Sequence, residues 1–421
     1  TGIDVGTTKI VVAVAEKKDK TINIIGIGTS NSDGLNKGIV IDIEKTVKSI
    51  DKAIHEAEEE SNVDINSAYV GITGENIKGI NCSGAITISN SDHLNPAGDT
   101  IEEKDILKVL EHAQAINLSP DRKILHTLSK EFKVDNQDNI KNPRGLSGHR
   151  LEAKVLLVTI ARNIEKDLKT CLENVGIMFD GFILEPIASA YSVLNEDERN
   201  LGTALIDIGG GTSDLIIFHN NSIQHTSAIP LGGESITKDI AYGIKTSIKQ
   251  AELLKCEYGL AKAALAEDQE DINVQGTNER DNIVISQKKL SKIIEARMKE
   301  IFILANTEIR RTNLSEKINF GIVLTGGGAK LKSICDLSTE VFEMDSKIGK
   351  PNSINGLNDI IENPRYATAI GLIKFAKETL SERNDDSDLY LIGTKGIQTF
   401  SKEKWTIIKK EEGYHETLSV S

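Results

Sequence analysis

Cysteine is scarce in this sequence, and the cysteines that occur are far apart. Cys82, Cys171, Cys256 and Cys335 are the four present, and no two of them form a CxxC pair. Zinc sites and disulfide frameworks need closely spaced or regularly paired cysteines, so the sequence indicates neither. A protein of the reducing cytosol fits this cysteine usage best.

Long apolar runs are absent as well. No stretch approaches the roughly 20 apolar residues that a membrane-spanning helix needs. No charged and then apolar leader precedes the first predicted strand. The chain starts at Thr1, within a strand pattern and without an initiator Met. We therefore expect that a few N-terminal residues are missing from the sequence.

Positive charge and several catalytic motifs are also lacking. The chain has 50 Lys and Arg against 63 Asp and Glu, a formal net charge of −13. This balance disfavours a general attraction to nucleic acid or anionic lipid, and we expect no nucleic-acid partner. The motifs GxxxxGK[ST], HExxH and GxSxG do not occur. Their absence excludes P-loop NTPases, zincins and the common serine hydrolases.

The sequence does contain one motif twice, about 200 residues apart: residues 3–9 read IDVGTTK and residues 206–214 read IDIGGGTSD. Each is a run of β-branched residues that ends in a carboxylate. Glycines, hydroxyls and a second apolar run follow. This pattern predicts a β-hairpin whose tight turn exposes backbone N–H groups.

The repetition of this hairpin points to phosphate binding. Turns without side-chain bulk let backbone N–H groups converge on an anion. Two such turns in equivalent places predict a duplicated fold that grips one phosphate chain from both sides, with Asp4 and Asp207 holding a hydrated Mg²⁺ between them. Lys9 would reach a β- or γ-phosphate as a point charge, or else is a solvated lysine at a strand edge. The predicted phosphate contacts are Gly6, Thr7, Thr8, Lys9, Gly209, Gly210, Gly211 and Thr212.

Further glycines and one charged pair are candidates for the rest of a nucleotide. Gly326, Gly327 and Gly328 follow a predicted strand and precede a predicted helix, so a flat group could lie against their backbone. Gly232 and Gly233 are further candidate contacts of the nucleotide. Glu252 and Lys255 lie one helical turn apart and could clamp ribose hydroxyls or an adenine edge. A plain surface ion pair is the alternative for these two residues.

Glu185 is the candidate catalytic residue. It follows a predicted strand and precedes Pro186, which fits the first turn of a helix. A carboxylate there would stand beside the hairpins and could orient a water for in-line attack on a γ-phosphate. Acidic residues also start helices for dipole reasons alone, so a capping role stays open.

The chain is too long, at 421 residues, for a single small core. Strand patterns alternate with amphipathic helix patterns in both halves, which predicts a layered α/β core. Residues 76–159 differ, with short strands, one helix and a polar stretch. We interpret them as an inserted small α+β subdomain.

These motifs resemble the actin/Hsp70/sugar-kinase ATPase superfamily, and the wider sequence resembles its FtsA family of bacterial actin-like cell-division proteins. The likeness covers most of the chain up to about residue 377. Beside the two hairpins it rests on residues 141–148 (KNPRGLSG), 191–194 (YSVL) and 239–242 (DIAY). The resemblance implies a duplicated actin-like, or ribonuclease H-like, α/β fold with two halves around a nucleotide cleft.

The family resemblance also implies a division into subdomains. Residues 1–75 and 160–194 would form subdomain 1A, and residues 76–159 the inserted subdomain 1C. Residues 195–233 and 311–380 would form subdomain 2A, and residues 234–310 subdomain 2B. Residues 381–421 would be a linker and a possible amphipathic membrane-targeting segment.

A specific cellular role follows from the same resemblance. It implies ATP and Mg²⁺ in the cleft, slow hydrolysis at most, and protofilaments in which nucleotide acts as an assembly switch. It implies that the C-terminal peptide of the tubulin-like FtsZ docks on subdomain 2B, and that later divisome membrane proteins are recruited. The protein would lie on the cytoplasmic face of the inner membrane at the division site.

The C-terminal tail departs from the expected membrane anchor. In the segment 397–410, Ile397, Phe400, Trp405, Ile407 and Ile408 cover about half of a helical wheel, which suits an interfacial helix. Lys404 lies inside this apolar arc, and an acidic, polar end follows from residue 411. Membrane binding by the tail is therefore an expectation beside the alternative of a disordered tail.

Two other functions are compatible with parts of the pattern. A sugar-kinase-like phosphotransferase would share the hairpins and the Mg²⁺ carboxylates, but the chain length and the position of the insert disfavour it. A chaperone ATPase of the Hsp70 type needs a β-sandwich domain after the ATPase, and only about 40 residues remain for it.

Overall fold

The computed structural model describes residues 1–18, 21–88, 98–267, 271–274, 283–357, 360 and 362–381. Within these residues, the two halves are built on sheets of the same strand order. The first sheet runs β3-β2-β1-β6-β13, with β21 added beside β3, and the second runs β16-β15-β14-β19-β20. The bounds of these strands are β1 Gly2–Val5, β2 Lys9–Lys18, β3 Thr21–Asn31, β6 Ser67–Ile72, β13 Met178–Leu184, β14 Thr203–Ile208, β15 Ser213–His219, β16 Ser222–Ile229, β19 Ile322–Thr325, β20 Ser346–Ile348 and β21 Asn355–Gly356.

The strand directions repeat along with the strand order. β1 pairs antiparallel with β2 and parallel with β6. β14 pairs antiparallel with β15 and parallel with β19 in the same way. Both predicted hairpins are therefore present, in equivalent places of a duplicated sheet.

Helices cover the faces of the first sheet. α1 Ile43–Ser61 begins where the Asp42 side chain accepts a hydrogen bond from the Lys45 N–H (3.1 Å). Its apolar stripe, which includes Ile50 and Ile54, is buried in the core of this half. Gly28 of β3 lies so close to α1 that a Cβ there would overlap the Ala53 carbonyl oxygen. The other helices of this half are α3 Arg162–Val175, α4 Glu185–Val193 and α10 Ala367–Ser381, whereas α5 Glu196–Leu201 packs against β15 of the second sheet.

The second half has a separate core. Its helix α8 Gln287–Arg311 buries one apolar stripe in this core, which consists of Ile294, Met298, Ile301, Ala305 and Ile309. The helices of this half are α6 Gly233–Ile244, α7 Ile248–Tyr258, α8 Gln287–Arg311 and α9 Ile334–Phe342, and a two-stranded sheet pairs β17 Asp271–Val274 with β18 Ile283–Ser286.

The insert has its own sheet, in the order β10-β9-β12-β7. One helix, α2 Glu103–Gln114, packs on this sheet around a third apolar core that includes Val109, Phe132 and Leu157. The strands are β7 Lys78–Thr87, β8 Asp99–Thr100, β9 Arg122–Val134, β10 Gln137–Ile140, β11 Ser147–Gly148 and β12 Arg150–Ala161, and a small pair, β4 Leu35–Asn36 and β5 Ile39–Val40, precedes α1.

The insert also contacts the second half of the molecule, at strand β16. Lys130 Nζ donates to the Gln224 carbonyl oxygen (2.5 Å), and Lys141 Nζ donates to Ser222 Oγ (2.9 Å). Ser222 Oγ in turn donates to the Lys130 carbonyl oxygen (2.9 Å). The insert thus interrupts the chain of the first half, but it is hydrogen-bonded to β16 at the edge of the second half's sheet.

One local prediction was wrong. The helix expected directly after Gly328 does not start there. A single 3₁₀ turn, Gly327–Lys330, follows β19, and α9 begins only at Ile334. Gly326 has a positive φ of 81°, and the chain turns sharply at this point, which separates the strand from the helix.

Candidate functional site

The turns of the two hairpins face each other. A Cβ at Gly210 would lie 2.5 Å from Thr8 Oγ1, and a Cβ at Gly211 would lie 2.5 Å from Thr7 Oγ1. Glycine is required on the second turn because the threonines of the first turn occupy that space. Thr7 Oγ1 also accepts a hydrogen bond from the Gly38 N–H (3.2 Å). The structure thus brings together the two motifs that the sequence paired.

Two carboxylates predicted to hold a metal lie at this junction, Asp207 buried and Asp4 half-buried. The pKa of Asp4 is raised by burial and, second, by the charge of Asp207. Burial likewise raises the pKa of Asp207. Asp207 is held by two hydroxyls, since Ser189 Oγ donates to Oδ2 at 2.5 Å and Thr368 Oγ1 donates to the same atom at 3.2 Å. The side-chain charges of Asp4 and Asp207 therefore act on each other.

A third aspartate belongs to the same group, and the sequence argument did not single it out. Asp214 Oδ1 accepts from Thr73 Oγ1 (2.7 Å), and Oδ2 accepts from Thr212 Oγ1 (3.2 Å). Burial raises the pKa of Asp214 to about 7, and the charges of Asp207 and Asp4 add to this shift. The available signal was the alternation in strand β15, which places Asp214 on the opposite face from its apolar neighbour Leu215.

Glu185 is the first residue of α4 and faces these aspartates. Its Oε1 is buried and has no hydrogen-bond partner among the described residues. Burial raises the pKa of Glu185 well above its ordinary value, and the charges of Asp4, Asp214 and Asp207 raise it further. The water-orienting role of Glu185 stays a prediction.

The acidic residues fit a hydrated cation better than a directly caged one. Among the described residues, no three His, Cys, Asp or Glu side chains converge closely enough to ligate a metal directly. Mg²⁺ usually keeps several waters and uses one or two carboxylates. Asp207, Asp214 and Glu185 are buried and Asp4 is half-buried, so a hydrated cation near them would offset the repulsion between their charges.

Lys9, at the start of β2, is buried beside the hairpin turn. Its Nζ lies 4.2 Å from the centre of the Tyr366 ring and has no hydrogen-bond partner within the described part of the chain. Burial, followed by the charge of Arg365, lowers the pKa of Lys9 to about 7. The alternative of a solvated lysine at a strand edge is thereby removed.

The remaining glycines surround the second hairpin. The Gly233 N–H donates to the Gly209 carbonyl oxygen (2.9 Å), and a Cβ at Gly232 would lie 2.6 Å from the Gly210 carbonyl oxygen. The Gly209 N–H bonds to the Thr212 carbonyl oxygen (2.9 Å) within the turn. The N–H groups of Gly209 and Gly233 are therefore already used inside the protein.

The loop after β19 approaches the same place. A Cβ at Gly326 would lie 2.7 Å from the Ile208 carbonyl oxygen, and a Cβ at Gly328 would lie 2.9 Å from Ile208 Cβ. A Cβ at Gly327 would meet nothing within 4 Å. Gly326 and Gly328 are needed for packing against β14, whereas Gly327 leaves open space.

Glu252 and Lys255 form a bonded group of their own on α7. Lys255 Nζ lies 2.7 Å from Glu252 Oε2, and both side chains bond to Thr237 Oγ1. Lys255 Nζ also donates to the Gly233 carbonyl oxygen (3.1 Å). This network ties α7 to the glycines that follow the second hairpin, so the pair is more than an isolated surface contact.

Comparison with known proteins identifies the family. A family model described as "Cell division protein FtsA" matches residues 204–371, and one described as "SHS2 domain inserted in FTSA" matches residues 74–159. The FtsA of Pseudomonas aeruginosa is 42% identical over 90% of each chain, and that of Escherichia coli K12 is 34% identical over 97% of each. The chain belongs to the FtsA family. As an FtsA protein, it is an actin-like protein of bacterial cell division.

Solved structures confirm the predicted fold class. A PilM–PilN type IV pilus biogenesis complex matches 88% of this FtsA chain with a TM-score of 0.59 and 14% identity. MreB5 of Spiroplasma citri bound to ADP matches 92% of it with a TM-score of 0.54 and 15% identity. The duplicated actin-like fold with an inserted α+β subdomain is thus confirmed.

Two sequence predictions on the membrane and the tail stand apart from this site. None of the helices in the described residues is long and apolar enough to cross a membrane. The amphipathic segment predicted at residues 397–410 lies outside the described residues.

Proposed function

We propose that this FtsA protein binds ATP with Mg²⁺ between its two hairpins and assembles into protofilaments. The observation that carries the proposal is the direct opposition of the two turns beside the half-buried Asp4 and the buried Asp207. The related fold of MreB5, which was solved bound to ADP, supports nucleotide binding by a protein of this fold. Hydrolysis would be slow, and the nucleotide would act mainly as an assembly switch.

Different residues would bind different parts of the nucleotide and its metal ion. Asp4 and Asp207 would bind a hydrated Mg²⁺, which would offset the negative charge of the phosphates and of the carboxylates. Thr7, Thr8 and Thr212 offer hydroxyls, and Lys9 offers a positive charge that has no hydrogen-bond partner among the residues that the structure describes. Gly327 leaves room for the nucleoside. Glu185 would orient the attacking water.

Because the turns touch each other, the halves must separate to admit a triphosphate. A ligand shifts such an equilibrium only as far as it binds one arrangement better than the other. ATP would therefore select the arrangement of the halves in which both turns contact it. The geometry of the protofilament contact would follow from that arrangement.

We further propose that the protein tethers FtsZ to the membrane and helps to recruit later division proteins. The surface of residues 234–310 supports docking of a peptide such as the FtsZ C-terminus, because large apolar side chains are exposed on α6 and α7. Tyr242 is 89% exposed, Ile248 55% and Leu253 46%. The tail, residues 381–421, would attach to the cytoplasmic face of the membrane.

The decisive experiment is electron microscopy of the purified protein with ATP on lipid monolayers, with and without residues 390–421. Filaments that form on lipid only when the tail is present would support assembly and anchoring together. Soluble monomers under every condition would contradict the proposal. An ATP-consumption screen against sugars separates this function from a phosphotransferase, which would turn over quickly with one small hydroxyl substrate.

A further inference from the structure

One histidine of the insert contacts the start of the helix that carries Glu185. His126 lies on β9 and is only 5% exposed. Its Nε2 accepts a hydrogen bond from the Leu184 N–H at 3.1 Å, and Leu184 is the residue directly before Glu185. Because Nε2 accepts this bond, the ring is neutral and carries its proton on Nδ1. The insert therefore contributes a hydrogen-bond acceptor to the first half, at the point where β13 passes into α4.

The start of α4 has few other groups that could hold it in place. The N–H groups at the beginning of a helix have no partner within the helix. Leu184 at the N-cap has no side chain that could accept a hydrogen bond, and Pro186 in the first turn has no N–H. Leu184 is also buried, and β13 lies at the edge of the first sheet. Without the imidazole, the Leu184 N–H would lose its acceptor in the protein interior, which is costly.

The Glu185 side chain depends on its backbone for its position. Its Oε1 has no hydrogen-bond partner within the part of the chain that the structure describes. The side chain lies over β6 at Gly71, where an added Cβ would come within 3.0 Å of Glu185 Cγ and 3.3 Å of Oε1. Gly71 leaves room for the carboxyl group, but no donor holds Oε1. A shift at the start of α4 would therefore move this carboxylate, and a misplacement of about 1 Å can slow a reaction about 100-fold.

The strand that carries the histidine is anchored at the root of the insert. Arg122 Nη2 donates to the carbonyl oxygens of Asn76 (2.7 Å) and Thr159 (2.8 Å), where the chain enters and leaves the insert. Lys123, the next residue of β9, forms an ion pair with Glu165 of α3 in the first half. The acceptor thus stands on a regular strand that is fixed to its surroundings, as precise positioning of a site requires.

We propose that His126 is a positioning residue for ATP hydrolysis, which fixes the start of α4 so that the Glu185 carboxylate orients the attacking water. The inference rests on the proposed nucleotide-binding function and on the role proposed there for Glu185, and it adds to them a residue of the insert. His126 acts through the backbone of Leu184 and not on the nucleotide. It should therefore affect the rate of hydrolysis and leave the affinity for ATP unchanged. The hydrolytic site of this chain is complete only with the insert in place.

The test measures the rate of ATP hydrolysis and the ATP dissociation constant of the full chain in Mg²⁺. His126→Leu removes the acceptor and should lower the rate about tenfold, while the dissociation constant stays within about twofold of wild type. His126→Gln offers a carbonyl oxygen to the same N–H and should keep most of the wild-type rate. Without nucleotide, hydrogen exchange of peptides that contain Leu184 should become faster in His126→Leu and stay near wild type in His126→Gln.

Two further variants separate positioning from general destabilisation. Phe132→Leu leaves a cavity in the core of the insert, on the same strand, and should lower the melting temperature without slowing hydrolysis. In a Glu185→Gln background, His126→Leu should leave the remaining rate unchanged, because the histidine acts only through Glu185.

A rate that His126→Leu lowers equally with and without the Glu185→Gln change, or does not lower at all, would overturn the positioning role while the proposed ATP binding stands. A wild-type protein that binds ATP but does not hydrolyse it would overturn the role as well, because no water would then be oriented. If wild type binds no ATP, the proposed function fails and this inference fails with it.

Discussion

At the scale of single residues, the cleft is an accumulation of buried carboxyl groups that hydroxyls hold in place. Asp207 accepts hydrogen bonds from the hydroxyls of Ser189 and Thr368, and Asp214 accepts one from the hydroxyl of Thr73. Each such hydroxyl satisfies one carboxyl oxygen, but the charges remain close together. This repulsion lowers the stability of the folded protein, and the Mg²⁺ that we propose would offset it.

Replacing Asp207 should weaken ATP binding without greatly lowering the stability of the fold. We expect Asp207→Ala to lower Mg²⁺-dependent ATP affinity by roughly 10- to 100-fold or more, because it removes one of the two predicted ion-holding carboxylates. The melting temperature without nucleotide should not fall greatly, because a buried charge is removed at the same time. Calorimetric titration with and without Mg²⁺ measures the effect. Asp64→Ala, at an exposed site, is the control, and unchanged ATP affinity in Asp207→Ala would refute the assignment.

His126 gives the protein a predictable dependence on pH. Its Nε2 accepts a hydrogen bond from the Leu184 N–H (3.1 Å), and burial lowers the pKa of His126 to about 4. An unfolded histidine titrates near pH 6.5. Between these two values the unfolded chain binds a proton that the folded chain does not, so stability is complete above pH 6.5 and falls as the pH decreases towards 4.

The free energy of unfolding should fall by about 2 kcal/mol between pH 7.5 and pH 5 from this group alone. Urea denaturation at the two pH values measures it. His126→Gln keeps an acceptor for the Leu184 N–H but has no titrating group, so its loss over the same range should be smaller by that amount. Equal losses in the two proteins would show that His126 does not contribute.

The sequence analysis singled out Asp4, Asp207 and Glu185, but it missed Asp214, Ser189 and Thr368. Asp4 and Asp207 were found because their hairpins repeat. Ser189 and Thr368 contact Asp207 from α4 and α10, and Thr368 is 161 positions away along the chain. Such contacts depend on the packing of whole elements, so no local pattern contains them.

At the scale of elements, the three glycines of the loop after β19 are present for different physical reasons. Gly326 and Gly328 lie against β14, whereas Gly327 faces open space. The sequence suggested a flat surface for a ligand but also a helix directly after it. The sharp turn at Gly326 and the 3₁₀ turn that follows delay that helix to Ile334.

Alanine substitutions at Gly328 and Gly327 should affect two different properties, stability in the first case and ATP binding in the second. Gly328→Ala would push a Cβ against Ile208 and should lower stability by about 1–3 kcal/mol. Gly327→Ala should leave the melting temperature nearly unchanged and weaken ATP binding, because the new methyl group would occupy the space proposed for the nucleoside. Thermal denaturation and ATP titration of both variants measure this. Full ATP affinity in Gly327→Ala would place the nucleoside elsewhere.

At the scale of the whole molecule, the sequence predicted the duplicated halves and the insert but not their contact. The lysines of the insert that reach β16 look like ordinary surface residues in the sequence. Burial lowers the pKa of Lys130 to about 8, which shows how closely the insert and the second half pack. A contact between parts 94 residues apart in the chain has no local signal.

Two serines of β16 offer a matched test of this contact. Ser222 Oγ bonds to Lys141 and to the Lys130 carbonyl oxygen, whereas Ser227 Oγ is buried without a partner among the described residues. We expect Ser222→Ala to lower the free energy of unfolding by about 1 kcal/mol or more and to speed hydrogen exchange in β9 and β16. Ser227→Ala should change neither. Equal behaviour of the two variants would mean that the contact contributes nothing.

The attachment of the insert to both halves has a mechanical consequence. When the two hairpin turns move apart, the insert must either follow the second half and bend away from its own root, or release its lysines and swing free. In the first case the movement at the cleft would be carried through these hydrogen bonds to the far surface of the insert as a tilt. A molecule that binds the insert would therefore oppose or favour the separation of the two turns without contacting the turns themselves.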